Sequence, residues 1–222
     1  MQKNKIVDLT MPIHEGMQTF PAHWHPVVEI TQLGRHGIEN RETRKLILGT
    51  HTGTHIDAPR HFIRNGETVE NIPLDQLVGS ASVLDLTDFG PRSEVSKDDL
   101  KTKLGDREAK RILLRFDWDS HLGKMSYYDD MPFLSENASK WLVDKGCRML
   151  GMDTPMPDDP KNGYNCPIDS PNHKILLGSG IILVEYMVNL SLLNNSPDVF
   201  IVVSPMKIKQ GDGAPARVFA II

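Results

Sequence analysis

Cysteine is scarce: Cys147 and Cys166 are the only two in 222 residues. A disulfide scaffold needs more, and no CxxC spacing offers a thiolate metal site or a redox pair. Long apolar runs are missing too. The richest, around residues 181–183, is interrupted by Glu185 and falls short of the roughly 18 apolar residues of a membrane span. The first eight residues carry two lysines with no apolar stretch behind them, so they do not read as a signal peptide. A reducing, cytoplasmic setting is the expectation. Nor is there a large excess of either charge. A net charge of −4 and a pI near 6.1 give no electrostatic reason to expect nucleic acid, and no polybasic tract would hold an anionic membrane. The phosphate-cradling Gly-rich loop, the GxSxG elbow and the dinucleotide fingerprint are all absent, which removes support for nucleotide-cofactor and serine-hydrolase chemistry.

What is there is an ordinary globular composition, 39% hydrophobic and 24% charged, in a length that suits a single domain over 1–222. Apolar runs at 6–9, 27–31, 44–48, 81–86, 111–115, 149–152, 199–203 and 217–221 read as strands. Ser96 followed by Lys97, Asp98 and Asp99 reads as an N-cap, predicting a helix over 97–104. Ser135 and Gly146 bracket a second helix over 135–145. The segments 14–25, 116–131, 157–171 and 207–214 read as loops: the second near a pocket mouth, the third a flexible surface loop, the last a polar turn. The expected fold is α/β, a mixed and mostly antiparallel sheet or barrel with few helices.

One stretch is dense in metal-ligating groups: His51-Thr52-Gly53-Thr54-His55-Ile56-Asp57-Ala58-Pro59-Arg60-His61. Two imidazoles and a carboxylate suit Zn²⁺ or another first-row dication such as Mn²⁺. A regular strand would put His51 and Asp57 about 20 Å apart. A helix would turn Asp57 away from the histidines, and Pro59 opposes it. A curled loop, eased by Gly53, remains; it can gather His51, His55 and Asp57 on one ion with His61 beside them. A dication activates water at neutral pH, and His61 is then the candidate proton carrier; its rival role is a further ligand.

The pattern His51-x-Gly53-Thr54-His55-x-Asp57-x-Pro59-x-His61 resembles the signature of the cyclase-like metal hydrolases, the family of bacterial kynurenine formamidase and isatin hydrolase. The resemblance continues in His173, Glu185 and Asn189-Leu190, and it implies a second metal held by His173 and Glu185 with Asp57 bridging. It also implies an aromatic contact to substrate from Phe20, a swivelling β/β/α fold, and a homodimer or higher homo-oligomer. Where family members have Ser after Asp-Thr-Pro, this chain has Met156, removing a hydroxyl from the pocket wall. The activity implied is hydrolysis of C–N bonds in small aromatic or cyclic amides, with hydroxide on Zn²⁺ (or Mn²⁺), one or two ions per chain. The competing readings are a metal-binding protein without catalysis, or a metal-dependent lactonase or dehydratase.

Overall fold

The structure is a computed structural model describing residues 5–163, 168–193 and 196–222. The expectations that involve Cys166 and the stretch around it therefore fall outside the described residues. Twelve strands are present among those described: β1 (Ile6–Asp8), β2 (Glu29–Gly34), β3 (Thr43–Ile47), β4 (His55–Asp57), β5 (Val78–Asp85), β6 (Glu94–Val95), β7 (Arg111–Arg115), β8 (Phe133–Leu134), β9 (Met149–Met152), β10 (Ile182–Glu185), β11 (Asp198–Pro205) and β12 (Gly213–Ile221). Seven of them close into a barrel in the order β12-β11-β5-β7-β9-β10-β4 and back to β12. Three neighbouring pairs (β5–β7, β7–β9, β9–β10) are parallel and the rest antiparallel. The expected mixed barrel is thus what forms. β1 adds to β12 alongside β4.

Alternation along the strands separates two cores. Ile56, Ala81, Val83, Leu113, Met149, Ile182, Val184, Ile201 and Val218 belong to one buried cluster, which fills the barrel. Their neighbours Leu84, Ile112, Leu114, Leu150, Met152 and Leu183 point the other way into a second cluster. That second cluster is roofed by three of the helices. Of the five, α1 (Leu74–Leu77) and α3 (Ser126–Asp129) are single turns; α2 (Lys97–Leu104), α4 (Glu136–Asp144) and α5 (Pro171–Gly178) are longer. Leu100 and Leu104 of α2, Ala138 and Leu142 of α4, and Leu176 and Leu177 of α5 supply its apolar side chains. A strand buried on both faces has no polar side left, and β7 (Arg-Ile-Leu-Leu-Arg) is buried throughout.

Several sequence expectations are corrected. The runs at 27–31 and 44–48 do form strands but take no part in the barrel: β2 and β3 make a separate two-stranded ribbon, with every β3 residue exposed. The 51–61 segment is not loop throughout: a turn carries residues 51–54, then β4 places residues 55–57 inside the barrel wall. The 116–131 segment holds a 3-10 helix (Trp118–His121) and α3, and its Trp118, Tyr127 and Tyr128 are buried beneath the pocket wall. The 157–171 segment begins with Asp158 fully buried and ends in α5, so it is not simply a surface loop.

Candidate metal centre

Because Ile56 faces into the barrel, its neighbours His55 and Asp57 face outward. Across the antiparallel pair, Glu185 lies opposite His55 and Leu183 opposite Asp57. On the other side, Pro215 lies opposite His55 and Gly213 opposite Asp57. The outer face of the β4–β10 pair therefore carries two acids and an imidazole side by side. A glycine at 213 is required for what comes next. A Cβ there would stand 2.6 Å from His51 Cε1 and 2.7 Å from the Ile56 carbonyl oxygen. Its absence lets the turn at 51–54 lay His51 over β12. Gly53, at φ +62°, makes that turn in the left-handed region.

The 3-10 helix Pro59–His61, with proline at its start, brings His61 back over the same face. From above, α5 lowers His173. Asp158 fixes that helix: its carboxylate accepts from the backbone N–H of Asn172 (2.6 Å) and of His173 (3.1 Å), and from His173 Nδ1 (2.6 Å). One buried acid thus caps the helix and orients the imidazole, leaving Nε2 free to face the cluster. His55 is set likewise, by donation from Nδ1 to the Gly53 carbonyl at 2.8 Å.

Asp57 stands at the centre. Its Oδ1 lies 2.6 Å from His51 Nδ1 and 3.3 Å from His55 Nε2. Its Oδ2 lies 3.5 Å from His173 Nε2 and 4.0 Å from His61 Nε2. Glu185 spans the two sides, with Oε2 3.6 Å from His55 Nε2 and Oε1 3.3 Å from His173 Nε2. The donors of His51, Asp57 and His61 converge closely, and so do those of His55, Asp57 and Glu185. Both groupings share Asp57.

These residues fit a divalent metal. Asp57 Oδ2 and Glu185 Oε1 are buried with no hydrogen-bond partner, and a buried carboxylate oxygen left so is costly unless a cation takes it up. Both orphans lie beside His173 Nε2, at 3.5 and 3.3 Å. Tetrahedral bonds of 2.0–2.2 Å put donors about 3.3–3.6 Å apart. Electrostatics agree. Burial and the neighbouring Asp57 charge raise Glu185, against His173 and His55. Burial would raise Asp57 too, but His51 and His61 hold its carboxyl well below the usual range. Two acids in one dry site repel each other, and a cation relieves both.

A cavity of about 310 Å³ opens above the cluster, lined by Phe20, Trp24, His25, Phe62, Met156 and Tyr186 among others. Aromatic and apolar groups thus face the donor set. His25 stays neutral there, lowered to about 4 by burial and by the charges of His51, His61 and His55.

The structure brings His51, His55, Asp57, His61, His173 and Glu185 onto one face, and Phe20 onto the cavity wall. His14 hydrogen-bonds Glu15 at the surface, and His121 stacks on Trp118 at 4.0 Å, away from the cavity. Sequence reading passed over Asp158 and Asp212. Asp212 Oδ2 lies 2.9 Å from His51 Nε2 and 3.5 Å from His61 Nδ1. Asp158 is one of an adjacent pair with Asp159 and Asp212 a single acid in a polar turn, and only three-dimensional proximity marks either out.

A family model, Cyclase, matches residues 7–159, which include the whole 51–61 run. Among curated proteins, the kynurenine formamidase of Bacillus thuringiensis subsp. konkukian (strain 97-27) is 27% identical over 98% of this chain and 97% of its own length. That of Bacillus mycoides (strain KBAB4) is 26% identical over the same shares. Among solved structures, a potential metal-dependent hydrolase with cyclase activity is 30% identical, with a TM-score of 0.78 over 99% of this chain and 98% of that one. Isatin hydrolase A from Labrenzia aggregata, bound to benzyl benzoate, shares the fold at a TM-score of 0.87 and 24% identity, over 99% and 94% of the two chains. With more than half its length under one family model, and that family's histidine–aspartate run built into a barrel wall, the chain belongs to the Cyclase family.

Proposed function

We propose that the protein is a metal-dependent hydrolase that cleaves the C–N bond of a small aromatic amide, an aryl formamide being the first candidate. The observation that carries this is the pair of unpartnered carboxylate oxygens on Asp57 and Glu185 at the floor of an aromatic-lined cavity. The curated relatives named as kynurenine formamidases support the substrate class.

In this reading His51, His55 and Asp57 would hold one ion, and His173 and Glu185, with Asp57 shared, would hold a second. Zn²⁺ is the first choice for this nitrogen and oxygen donor set, with Mn²⁺ next. Such dications lower the pKa of coordinated water towards about 7 and polarise a carbonyl oxygen. The rest falls to side chains of this chain. Phe20, Trp24 and Phe62 receive the aromatic part of the substrate and exclude water around the scissile bond. His61 sits at the cavity wall with its Nε2 turned towards Asp57. It delivers a proton to the departing nitrogen, without which an amine leaves poorly. A purely structural metal site would need neither this histidine nor the open cavity.

A homo-oligomer is part of the proposal, supported by the fully exposed β3 of the β2–β3 ribbon; light scattering tests it. A reducing, cytoplasmic setting fits Cys147, a free and buried thiol. For the activity, Zn²⁺- and Mn²⁺-loaded protein is offered aryl formamides, cyclic amides and lactones, with formate or acid release as the readout. Metal-dependent turnover of the aryl formamides is expected. Loaded protein that turns over none of the amides overturns the reading.

A further inference from the structure

Asp212 stands immediately before β12, and its carboxylate has two imidazoles for neighbours: His51 Nε2 at 2.9 Å and His61 Nδ1 at 3.5 Å. The two rings lie against each other, with centroids 3.9 Å apart and planes tilted by 33°. At the opposite edges, His51 Nδ1 meets Asp57 Oδ1 at 2.6 Å and His61 Nε2 faces Asp57 Oδ2 at 4.0 Å. Each imidazole therefore presents one nitrogen to Asp57 and the other to Asp212.

A neutral imidazole carries one N–H, and which nitrogen holds it is set by the partner of that nitrogen. We propose that Asp212 is the positioning residue for His61. Its carboxylate accepts the Nδ1–H of His61 and so reserves Nε2 as the atom that carries the proton. The same carboxylate accepts Nε2–H from His51, whose Nδ1 meets Asp57 Oδ1 at the other edge of the ring. This inference rests on the hydrolase reading for the destination of the proton, though not for the tautomer.

The placement does not depend on the Asp212 side chain. The Asp212 carbonyl accepts from Ala58 N–H, and the Ala58 carbonyl accepts from His61 N–H, both at 2.9 Å. These backbone ties keep the three residues together in an Asp212→Asn variant, whose side chain has nearly the same shape. The side chain is also 40% exposed, so the substitution buries no new group.

The test uses Zn²⁺-loaded full-length protein, labelled with ¹⁵N-histidine, as wild type and as Asp212→Asn. Kinetics on an aryl formamide, zinc content and the His61 ring ¹⁵N spectrum are read together. Asp212→Asn is expected to cut kcat about 10- to 100-fold at saturating zinc, the range typical of groups that orient others. KM should stay within about twofold, and the His61 signal should move from the Nδ1–H tautomer to a mixture. An unchanged tautomer with unchanged kcat overturns the proposal. So does full recovery of kcat on adding zinc, since Asp212 would then act through His51 alone. Should the wild type hydrolyse no amide, the functional reading falls, and the His61 tautomer still decides the role of Asp212.

Discussion

Asp57 serves two sets of partners with its two oxygens: Oδ1 faces His51 and His55, and Oδ2 faces His173 and His61. A bridging carboxylate has no substitute among its neighbours, whereas Glu185 meets one imidazole from each set, His173 at 3.3 Å and His55 at 3.6 Å, and each set keeps other donors without it. Asp57→Asn should accordingly lose nearly all bound metal, and Glu185→Gln about half, as measured by elemental analysis after dialysis against dilute Zn²⁺. Equal losses in the two variants would contradict the bridge. His61 makes an opposite demand. As a proton carrier, His61→Ala should keep its metal and lose roughly 10²–10⁴ in kcat; rescue by excess metal would make it a ligand instead. His25, at the cavity wall, offers a pH handle. Burial first, then the positive charges of His51, His61 and His55, lower it to about 4. Its folded pKa lies below the unfolded value of about 6.5, so its contribution to stability is present above that value and is lost as pH falls towards 4. An NMR titration should show the His25 ring neutral at pH 5; protonation near 6.5 would disprove the buried, charge-flanked setting.

At the scale of elements, the seam between β4 and β12 aligns the centre. Gly213 pairs with Asp57 there and leaves room for His51. Gly213→Ala should displace His51 or open the seam, since one of its close contacts is the Ile56 backbone oxygen, which cannot rotate away. The expected result is reduced metal affinity in a folded protein, read by circular dichroism together with zinc titration; wild-type affinity would show that the seam has slack. Much of this architecture was legible in the chain. β7, β9 and α2 fall where apolar runs and the Ser96 cap put them, because those signals are local. β4 was not legible, being three residues long and defined by pairing with β10 and β12, partners more than a hundred residues away. α5 was missed for a related reason. It opens on Pro171 in a proline-rich stretch, and its N-terminus is capped by Asp158, which precedes it by more than three turns of helix. Asp212 lay in a segment that looked like any polar turn. Ligand-bearing motifs can be read along the chain; the acids that orient them are supplied by the fold.

Across the whole molecule, the centre ties together segments that are remote in sequence: the 51–61 run, Asp158, His173 on α5, Glu185 on β10 and Asp212 before β12. Without a cation, the carboxylates of Asp57 and Glu185 are buried in one site at the join between barrel and helices. Their mutual repulsion opposes closing the barrel through β4, and a cation can relieve it only in the folded state, where the donors meet. A ligand that binds the folded chain alone stabilises it by RT ln(1 + [L]/Kd), about 2.7 kcal/mol at a hundredfold excess over Kd. For a chain of this length, 1 kcal/mol moves Tm by roughly 2–4 °C. Zinc at that excess should therefore raise Tm by about 5–11 °C over chelator-treated protein, measured by scanning calorimetry. The gain should be largely lost in Asp57→Asn, which no longer supplies the carboxylate shared by both donor groupings. A Tm indifferent to both zinc and chelator would mean that the six converging side chains hold no ion when the barrel closes.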